Sequence, residues 1–492
     1  MNGYVVERRD CGSSPRTPAV APLSCSGVGY TDASVSTAPF AASTWAIPPK
    51  NAVTYTAISL FTGAMGLDIG LEKTGRIQTL ACVEKERVCC ETIAKNRDAG
   101  RTADRALRIY TEDISTLDPD VVLRDLRVRP GDIDILVGGP PCQSFSTAGR
   151  RGTVNDPRGS LIWQMVRWVE ALKPKVFLME NVRGLVSAAV EHRPIKDRPE
   201  NGGPPFRLNE RPGSVLRLFA RDVSRLEPEY RVDAFEVNAV NYGAPQLRER
   251  LLVIGNRLNA TVSFPVPTHS QSEACGNGSA LVPFATLGDA IKGLREENPV
   301  IMDFSPRKKR YLAMVPPGGN WRCLPKRLQR YTLGEAYRAK GGRSGWWRRL
   351  TFDLPCPTVV TMPNHAGTAL CHPEEVRALT LRECALVQEF PPDWEFAGKV
   401  QEQYAQVGNA VPIRLGEVTG RTLVALLDEA RRSGLRARKG DHDVFALTYV
   451  RSHVRTRKWF KKGQTFVWAE GGDNNAVLHA PMRTESSHRV IR

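Results

Sequence analysis

The stretch TAISLFTGAMGLDIGLE (residues 56–72) decides the fold. Its first six residues, TAISLF, form an apolar run of strand length, and Gly63 and Gly66 then mark a turn before helix-like sequence begins near Leu67. A strand that passes through such a turn into a helix brings backbone N–H groups close to a ligand, at the helix end that favours negative charge. Two-glycine turns also occur simply to let a helix pack tightly on a strand, so the following residues decide between these uses. Eighteen residues after Gly66, Glu84 closes a second run, IQTLACVE (77–84), where a carboxylate can take both hydroxyls of a ribose. The spacing is not G-x-G-x-x-G, which points away from NAD and towards another nucleoside-containing cofactor.

The same rhythm continues outward. The runs IDILVGG (133–139) and KVFLMEN (175–181) are expected as buried strands, with a helix over 161–172 between them. RVDAFEVNA (231–239) and RLLVIG (250–255) lie close enough to pair as a hairpin, and the helix after the second strand turns Cys89, Cys90 and Ile93 inward. Strands alternating with helices predict an α/β fold built on an open sheet. After Gly255 the alternation stops. Residues 256–378 are rich in Pro, Gly, Arg and Trp, and helices resume only at 380–388 and 409–430. The expected organisation is a disordered lead-in over 1–51, a catalytic core of 52–255 plus 379–430, an inserted module of 256–378, and an extension over 431–492.

Charge follows the same boundaries. The 492 residues carry a net +17, of which +8 falls in 256–378 and +9 in 431–492, while 52–255 carries +3 and 379–430 carries −4. Basic charge concentrated in this way predicts contact with phosphates, most economically of a nucleic acid. With 41% hydrophobic and 25% charged residues the composition is that of a globular protein. No apolar run approaches a spanning helix, and the first fifty residues lack the pattern of a secretory leader. Eleven scattered cysteines without a C-x-x-C pair predict reduced thiols, no disulfide scaffold and no metal site.

Four further blocks carry chemistry. GGPPCQSFSTAGR (138–150) follows a strand directly, so Cys142 sits where ligands bind in open α/β sheets, in a polar loop ending in Arg150 and Arg151 that favours the thiolate. The other ten cysteines are expected to be inert buried thiols. MENVRG (179–184) ends the neighbouring strand and aims Glu180 at the same crevice, which suggests a nucleophile with a proton donor beside it. QLRER (246–250) sets Arg248 and Arg250 along an incipient strand, either as structural salt bridges or as partners of that carboxylate. QYAQVGNAVP (403–412) puts Gly408 and Asn409 at an expected helix start, and Asp113 in EDI (112–114) is expected near the end of a third strand.

Together FTGAMGLDIGLE, GGPPCQSFSTAG, ENVRGL, QLRERLLVIG, LTLRECALVQEFPPDW (379–394) and QVGNAVP resemble, in order, the six main blocks of the C5-type DNA cytosine methyltransferases, over roughly residues 55–430. The resemblance implies a Rossmann-like, S-adenosylmethionine-dependent methyltransferase domain with a smaller inserted target-recognition domain, here 256–378. It implies that the Cys142 thiolate adds to carbon 6 of a flipped-out cytosine, making carbon 5 nucleophilic. Glu180 would hold N3 and the exocyclic amine, and Arg250, with Arg248, would hold O2 and keep Glu180 in register. For the cofactor it implies Phe61, Gly63 and Gly66 at the methionine part and Glu84 at the ribose. Asp113, Ile114 and Pro141 would lie at the adenine, and Asn409 and Val411 would close the site. Lys85 departs from the family, which often has an aromatic or apolar residue against the adenine there.

The segment RRLTFDLPCPTVVT (348–361) resembles the loosely shared part of target-recognition regions. DNA contacts are expected from Gln143, Ser144, Arg150, Trp346, Arg348 and Thr358, with residues 307–310, Trp321, Arg322, Lys326, Arg327 and Trp347 as further candidates. In the tail, HVRTRKWFKKGQTFVW (453–468) mixes basic and aromatic residues, which suits either a nucleic-acid contact or a disordered charge run. The partners expected are double-stranded DNA and, unless the enzyme is a solitary methylase, a separately encoded restriction endonuclease, for a monomeric cytoplasmic enzyme with no membrane association and no metal. A tRNA cytosine-5 methyltransferase of the related branch and a non-catalytic DNA-binding relative are the alternatives. The long basic insertion, with CPT (356–358) where that branch has Cys-Phe-Thr, and the intact Cys142, Glu180 and Arg250 weigh against them.

Overall fold

In the computed structural model, residues 52–141, 157–270, 281–338, 345–434, 445–449 and 488–490 are described. Strand β1 (Tyr55–Leu60) leads into helix α1 (Gly66–Glu72), then β2 (Ile77–Val83), α2 (Arg87–Asp98), β3 (Arg108–Tyr110) and α3 (Pro119–Leu126). Next come β4 (Ile135–Gly138), α4 (Pro157–Leu172), β5 (Val176–Val182), α5 (Ser214–Ser224), β6 (Arg231–Asn238), β7 (Gln246–Leu247) and β8 (Glu249–Asn256). The main sheet runs β3-β2-β1-β4-β5-β8-β6, and β8 is antiparallel to both of its neighbours. The hairpin expected from 231–255 is therefore present, with Ala234 opposite Val253.

Alternation along the strands builds a core on each face of the sheet. Ile58, Leu60, Leu136, Phe177 and Met179 face one way, against Val122 and Leu123 of α3, Ile162, Met165, Trp168 and Val169 of α4, and Phe219 of α5. The buried positions of α4 recur at the three- and four-residue spacing of a helix face. Ala57, Ile135, Val137, Val176 and Leu178 face the other way, towards Leu67 and Leu71 of α1 and the long C-terminal helix. All seven residues of α1 are buried, because it lies between the sheet and that helix.

The inserted segment has short elements: β9 (His269–Ser270), β10 (Val282–Pro283), α6 (Leu287–Ile291), α7 (Pro306–Leu312), α8 (Lys326–Leu333) and β11 (Cys356–Pro357). Phe304, Leu312, Val315, Trp321, Leu333 and Trp347 give it a core of its own. Leu287, Ile291, Leu350, Cys356 and Val359 instead share a core with Met65, Ile93 and the helices that follow. Those helices are α9 (Leu381–Val387), α10 (Val400–Asn409) and α11 (Ile413–Ser433). Thr380 caps α9 in a box with Glu383, as the L-T-x-R-E sequence suits.

Two expectations are corrected here. Gly408 and Asn409 end a helix instead of starting one, and α11 begins only at Ile413 after Pro412. A Cβ on Gly408 would lie 2.5 Å from the Thr361 backbone nitrogen, so this glycine serves a close approach. In the tail, 453–468 lies outside the described residues, and two short strands are described. Strand β12 (Phe445–Tyr449) adds in parallel to β6, and β13 (His488–Val490) pairs antiparallel with β12, so the described sheet has nine strands. The second correction concerns the thiols: Cys82, Cys89, Cys90, Cys356, Cys371 and Cys384 are buried, but Cys323 is exposed. Among the described residues no helix is long and apolar enough to cross a membrane.

Candidate active site

The carboxyl ends of β1, β2, β4 and β5 converge at one edge of the sheet, where antiparallel β8 begins. The turn after β1 is left-handed at three successive odd positions: Phe61 (φ 54°), Gly63 (φ 56°) and Met65 (φ 66°). Left-handed backbone at two residues with a Cβ stores strain, and such strain gathers at ligand sites. Glu84, just past β2, spans the turn: Oε2 accepts from the Gly63 N–H at 2.8 Å, and Oε1 accepts from the Glu86 N–H at 2.9 Å. Nothing lies within 4 Å of a Cβ built on Gly63, so an open cradle adjoins this carboxylate. An open glycine turn beside a strand-end acid fits the adenosyl and methionine parts of S-adenosylmethionine. Gly66 is tighter, since its Cβ would meet the Val411 carbonyl at 2.7 Å, which presses segment 410–411 onto the turn.

Asp113 lies beyond the end of β3. Its Oδ1 accepts from the Ser115 N–H at 2.8 Å, and that bond, with help from the Lys85 charge, holds its carboxyl below the usual range. Ile114 beside it is buried. Lys85 itself is exposed.

Under the turn, α1 carries two buried acids. Burial pushes the Asp68 carboxyl up to about 6, and burial together with the Asp68 charge pushes Glu72 up to about 7. Both values lie above those of an unfolded chain, so the stability at stake is fully present below about pH 4 and is lost as pH rises through both folded values. On the order of 3 kcal/mol is expected for each group. Thermal unfolding of Asp68→Asn/Glu72→Gln and of the wild type at pH 5 and pH 8 is expected to show the variant gaining on the wild type at the higher pH. A difference independent of pH would contradict this origin.

At β5 the Arg250 Nε lies 2.5 Å from Glu180 Oε1, with the two side chains 11% and 12% exposed. The register places Arg250 opposite Val182, so the arginine reaches along the strand pair to the carboxylate. Asn181, buried beside it, donates from Nδ2 to the Pro140 carbonyl at 3.2 Å and so ties the turn after β4 to β5. Asn181 was missed as a positioning residue, although the E-N-V sequence carried the signal. Pro141 is the last described residue of that turn; Cys142, Gln143, Ser144 and Arg150 lie outside the described residues.

Arg248 is not brought to Glu180. The strand is interrupted between Leu247 and Glu249, and the Arg248 guanidinium turns to the carbonyls of Val359 and Gly408, both at 2.9 Å, and of Asn409 at 3.4 Å. In the inserted segment, Thr358 donates from Oγ1 to the Leu247 carbonyl at 2.6 Å. Arg348, expected at DNA, is 8% exposed, and its Nε donates to the Ala369 carbonyl at 3.2 Å. Burial lowers its pKa to about 10, so this guanidinium belongs to the interior. Trp321 and Trp347 are core residues too, and Trp346 is half-buried with its ring 6.4 Å from that of His365. Arg307, Arg310, Lys326 and Arg327 are exposed on α7 and α8. Among the described residues no cluster of His, Cys, Asp and Glu has the makings of a metal site.

Comparison with known proteins adds to this geometry. The family described as C-5 cytosine-specific DNA methylase matches residues 55–197 and 208–425. The Type II methyltransferase M.PspPI of Psychrobacter sp. is 33% identical over 384 residues, covering 76% of this chain and 80% of that protein. M.Eco47II of Escherichia coli, also a Type II methyltransferase, is 33% identical over 390 residues, with 77% and 81% covered. M.Sau96I of Staphylococcus aureus is 32% identical over 378 residues, with 76% and 77% covered. The family match takes in β1 to β8, the inserted segment and most of α11, and the chain belongs to the C-5 cytosine-specific DNA methylase family.

Proposed function

We propose that the sheet edge around Glu180 and Arg250 is where this DNA cytosine-5 methyltransferase performs its reaction. The observation that carries the reading is the Glu180–Arg250 ion pair set beside the turn that leads into Cys142, with Asn181 fastening that turn to β5. When bound, S-adenosylmethionine supplies the electrophilic methyl group. Phe61, Gly63, Gly66, Glu84, Asp113, Ile114, Pro141, Asn409 and Val411 hold it.

The chain's own residues do the rest. The Cys142 thiolate forms a bond to carbon 6 of the cytosine, which moves electron density to carbon 5. A protonated Glu180 donates to N3 and accepts from the exocyclic amine, so the charge that develops on the ring is met by a proton. Arg250 fixes the carboxyl and faces O2. Once carbon 5 carries the methyl group, N3 returns its proton to Glu180, and loss of the carbon-5 proton to solvent restores the double bond and expels the thiolate. These atoms are hidden in a stacked duplex, so the base turns out of the helix at a cost of a few kcal/mol.

Residues 52–255 with 379–430 serve as the catalytic domain, and 256–378 as the region that selects a duplex sequence. Its exposed basic residues, Arg307, Arg310, Lys326 and Arg327, take phosphates. The similar proteins are Type II methyltransferases, which supports a role as the modification partner of a restriction endonuclease. The enzyme acts, in this reading, as a monomer on DNA in the cytoplasm. Bisulfite sequencing of DNA from a host expressing the chain is expected to show methylated cytosines in one short sequence context. Unmodified DNA alongside methylated RNA would overturn this in favour of the tRNA-acting branch.

A further inference from the structure

We propose that Arg248 is a positioning residue that couples cofactor binding to DNA binding, by holding the cofactor-closing segment and the recognition segment in one arrangement. The inference rests on the functional reading above, for the roles of Asn409 and Val411 at the cofactor and of 256–378 at DNA. Arg248 is 2% exposed, and its backbone N–H is fixed by the Asn238 side-chain oxygen at 2.8 Å. One guanidinium then serves two parts of the chain. Nη1 donates to the Val359 carbonyl at 2.9 Å, and Nη2 donates to the carbonyls of Gly408 and Asn409 at 2.9 and 3.4 Å.

The chemistry suits both ends. Gly408 and Asn409 are the last residues of α10, whose final carbonyls have no partner within the helix and carry its negative pole. An arginine supplies the positive charge and a planar fork of donors that spans separate acceptors, which a lysine cannot do. Adjacent contacts make a joint of this place. β11 pairs with β7, so Cys356 and Pro357 lie against Gln246 and Leu247. Gln246 accepts from the Val359 N–H at 3.4 Å and donates to Gln388 at 2.7 Å, and Gln388 donates to the carbonyls of Val407 and Ala410 at 2.6 and 3.0 Å. The far side of segment 410–411 presses on Gly66 in the cofactor turn. A shift of the closing segment therefore reaches Val359 through rigid hydrogen-bonded groups, and the two binding equilibria must affect each other by the same factor.

The test measures binding, with turnover as a second readout. The wild type, Arg248→Lys and Gln246→Leu are titrated with a duplex carrying the bisulfite-mapped site, with and without S-adenosylhomocysteine. The wild type is expected to bind the duplex at least about fivefold tighter with S-adenosylhomocysteine present, the low end of usual coupling factors. In Arg248→Lys that factor is expected to fall below about twofold, with affinity for S-adenosylhomocysteine alone changed little and KM for DNA raised more than kcat is lowered. Gln246→Leu keeps the arginine and is expected to lose part of the coupling, which keeps the test decisive if Arg248→Lys does not fold. Undiminished coupling in the folded variants, or a fall in kcat alone, would overturn the proposal. A wild type that methylates no DNA would instead overturn the functional reading.

Discussion

Replacing Cys142 by alanine is expected to abolish methyl transfer to DNA while cofactor binding survives. Carbon 5 of cytosine is a poor nucleophile, and without a sulfur on carbon 6 nothing in the site raises its electron density. The loss is expected to be on the order of 10⁴-fold or more, the scale on which removal of a covalent nucleophile acts. The residues assigned to the cofactor lie mainly on the turns after β1, β2 and β3, and Glu84 and the Gly63 backbone are joined without help from Cys142. Transfer of a labelled methyl group to duplex DNA and equilibrium binding of S-adenosylhomocysteine check both halves of the expectation. Wild-type protein is also expected to form a denaturation-resistant adduct with duplex containing 5-fluorocytosine, because the fluorine cannot leave as a proton does. Full activity in the variant, or no adduct with the wild type, would sink the thiol mechanism.

Disrupting the Glu180–Arg250 pair is expected to have the next largest effect. Glu180→Gln keeps the shape but cannot deliver a carboxyl proton to N3, and kcat is expected to fall by about 10²–10⁴-fold. Arg250→Met removes the only cation paired with Glu180 among the described ion pairs and leaves a carboxylate in a largely enclosed site. Breaking an enclosed pair from one side costs on the order of 3–5 kcal/mol, so a loss of comparable size is expected even though Arg250 transfers no proton. The double variant should then be little worse than the poorer single one, because each change spoils the same contact. Strictly additive losses would mean that the two side chains act separately, and the mechanism would need a different proton donor.

Much of the fold was legible because period and punctuation agree. β1, β2, β4 and β5 are short apolar runs, and those of β2 and β5 close on Glu84 and on Glu180 and Asn181, which the site uses. Glu84 and Glu180 could be placed at the carboxyl ends of their strands from the sequence, since parallel strands all end on the same side. What the sequence hid depends on distant contacts. Gly408-Asn409 suits a helix start equally well, and only the approach of Thr361 and the Arg248 guanidinium shows a helix end there. Arg248 and Arg250 are two residues apart and were expected on one face. The break in the strand at Arg248 separates them, and nothing local to Q-L-R-E-R signals that break. Arg348 looked like a DNA contact because arginine is usually exposed. A core assembled from 304–378 encloses it, and no short-range pattern foretells that enclosure. Strand β12 of the tail escaped notice because its partner, β6, lies far back in the sequence.

The seam between α1 and α11 bears on when the enzyme becomes competent. Gly70 sits against Gly416, and a Cβ on Gly416 would be 2.6 Å from the Leu67 carbonyl, so the two backbones meet with no side chain between them. The partners come from near the two ends of the methylase region, which makes this a contact of very high sequence separation, with a large loop-closure cost. During synthesis β1, the glycine turn and β2 leave the ribosome long before α11 exists, so the nascent cofactor turn has no closing wall. With Asn409 and Val411 proposed to close the cofactor site, a chain still being translated is expected to hold its methyl donor only weakly until the seam has closed.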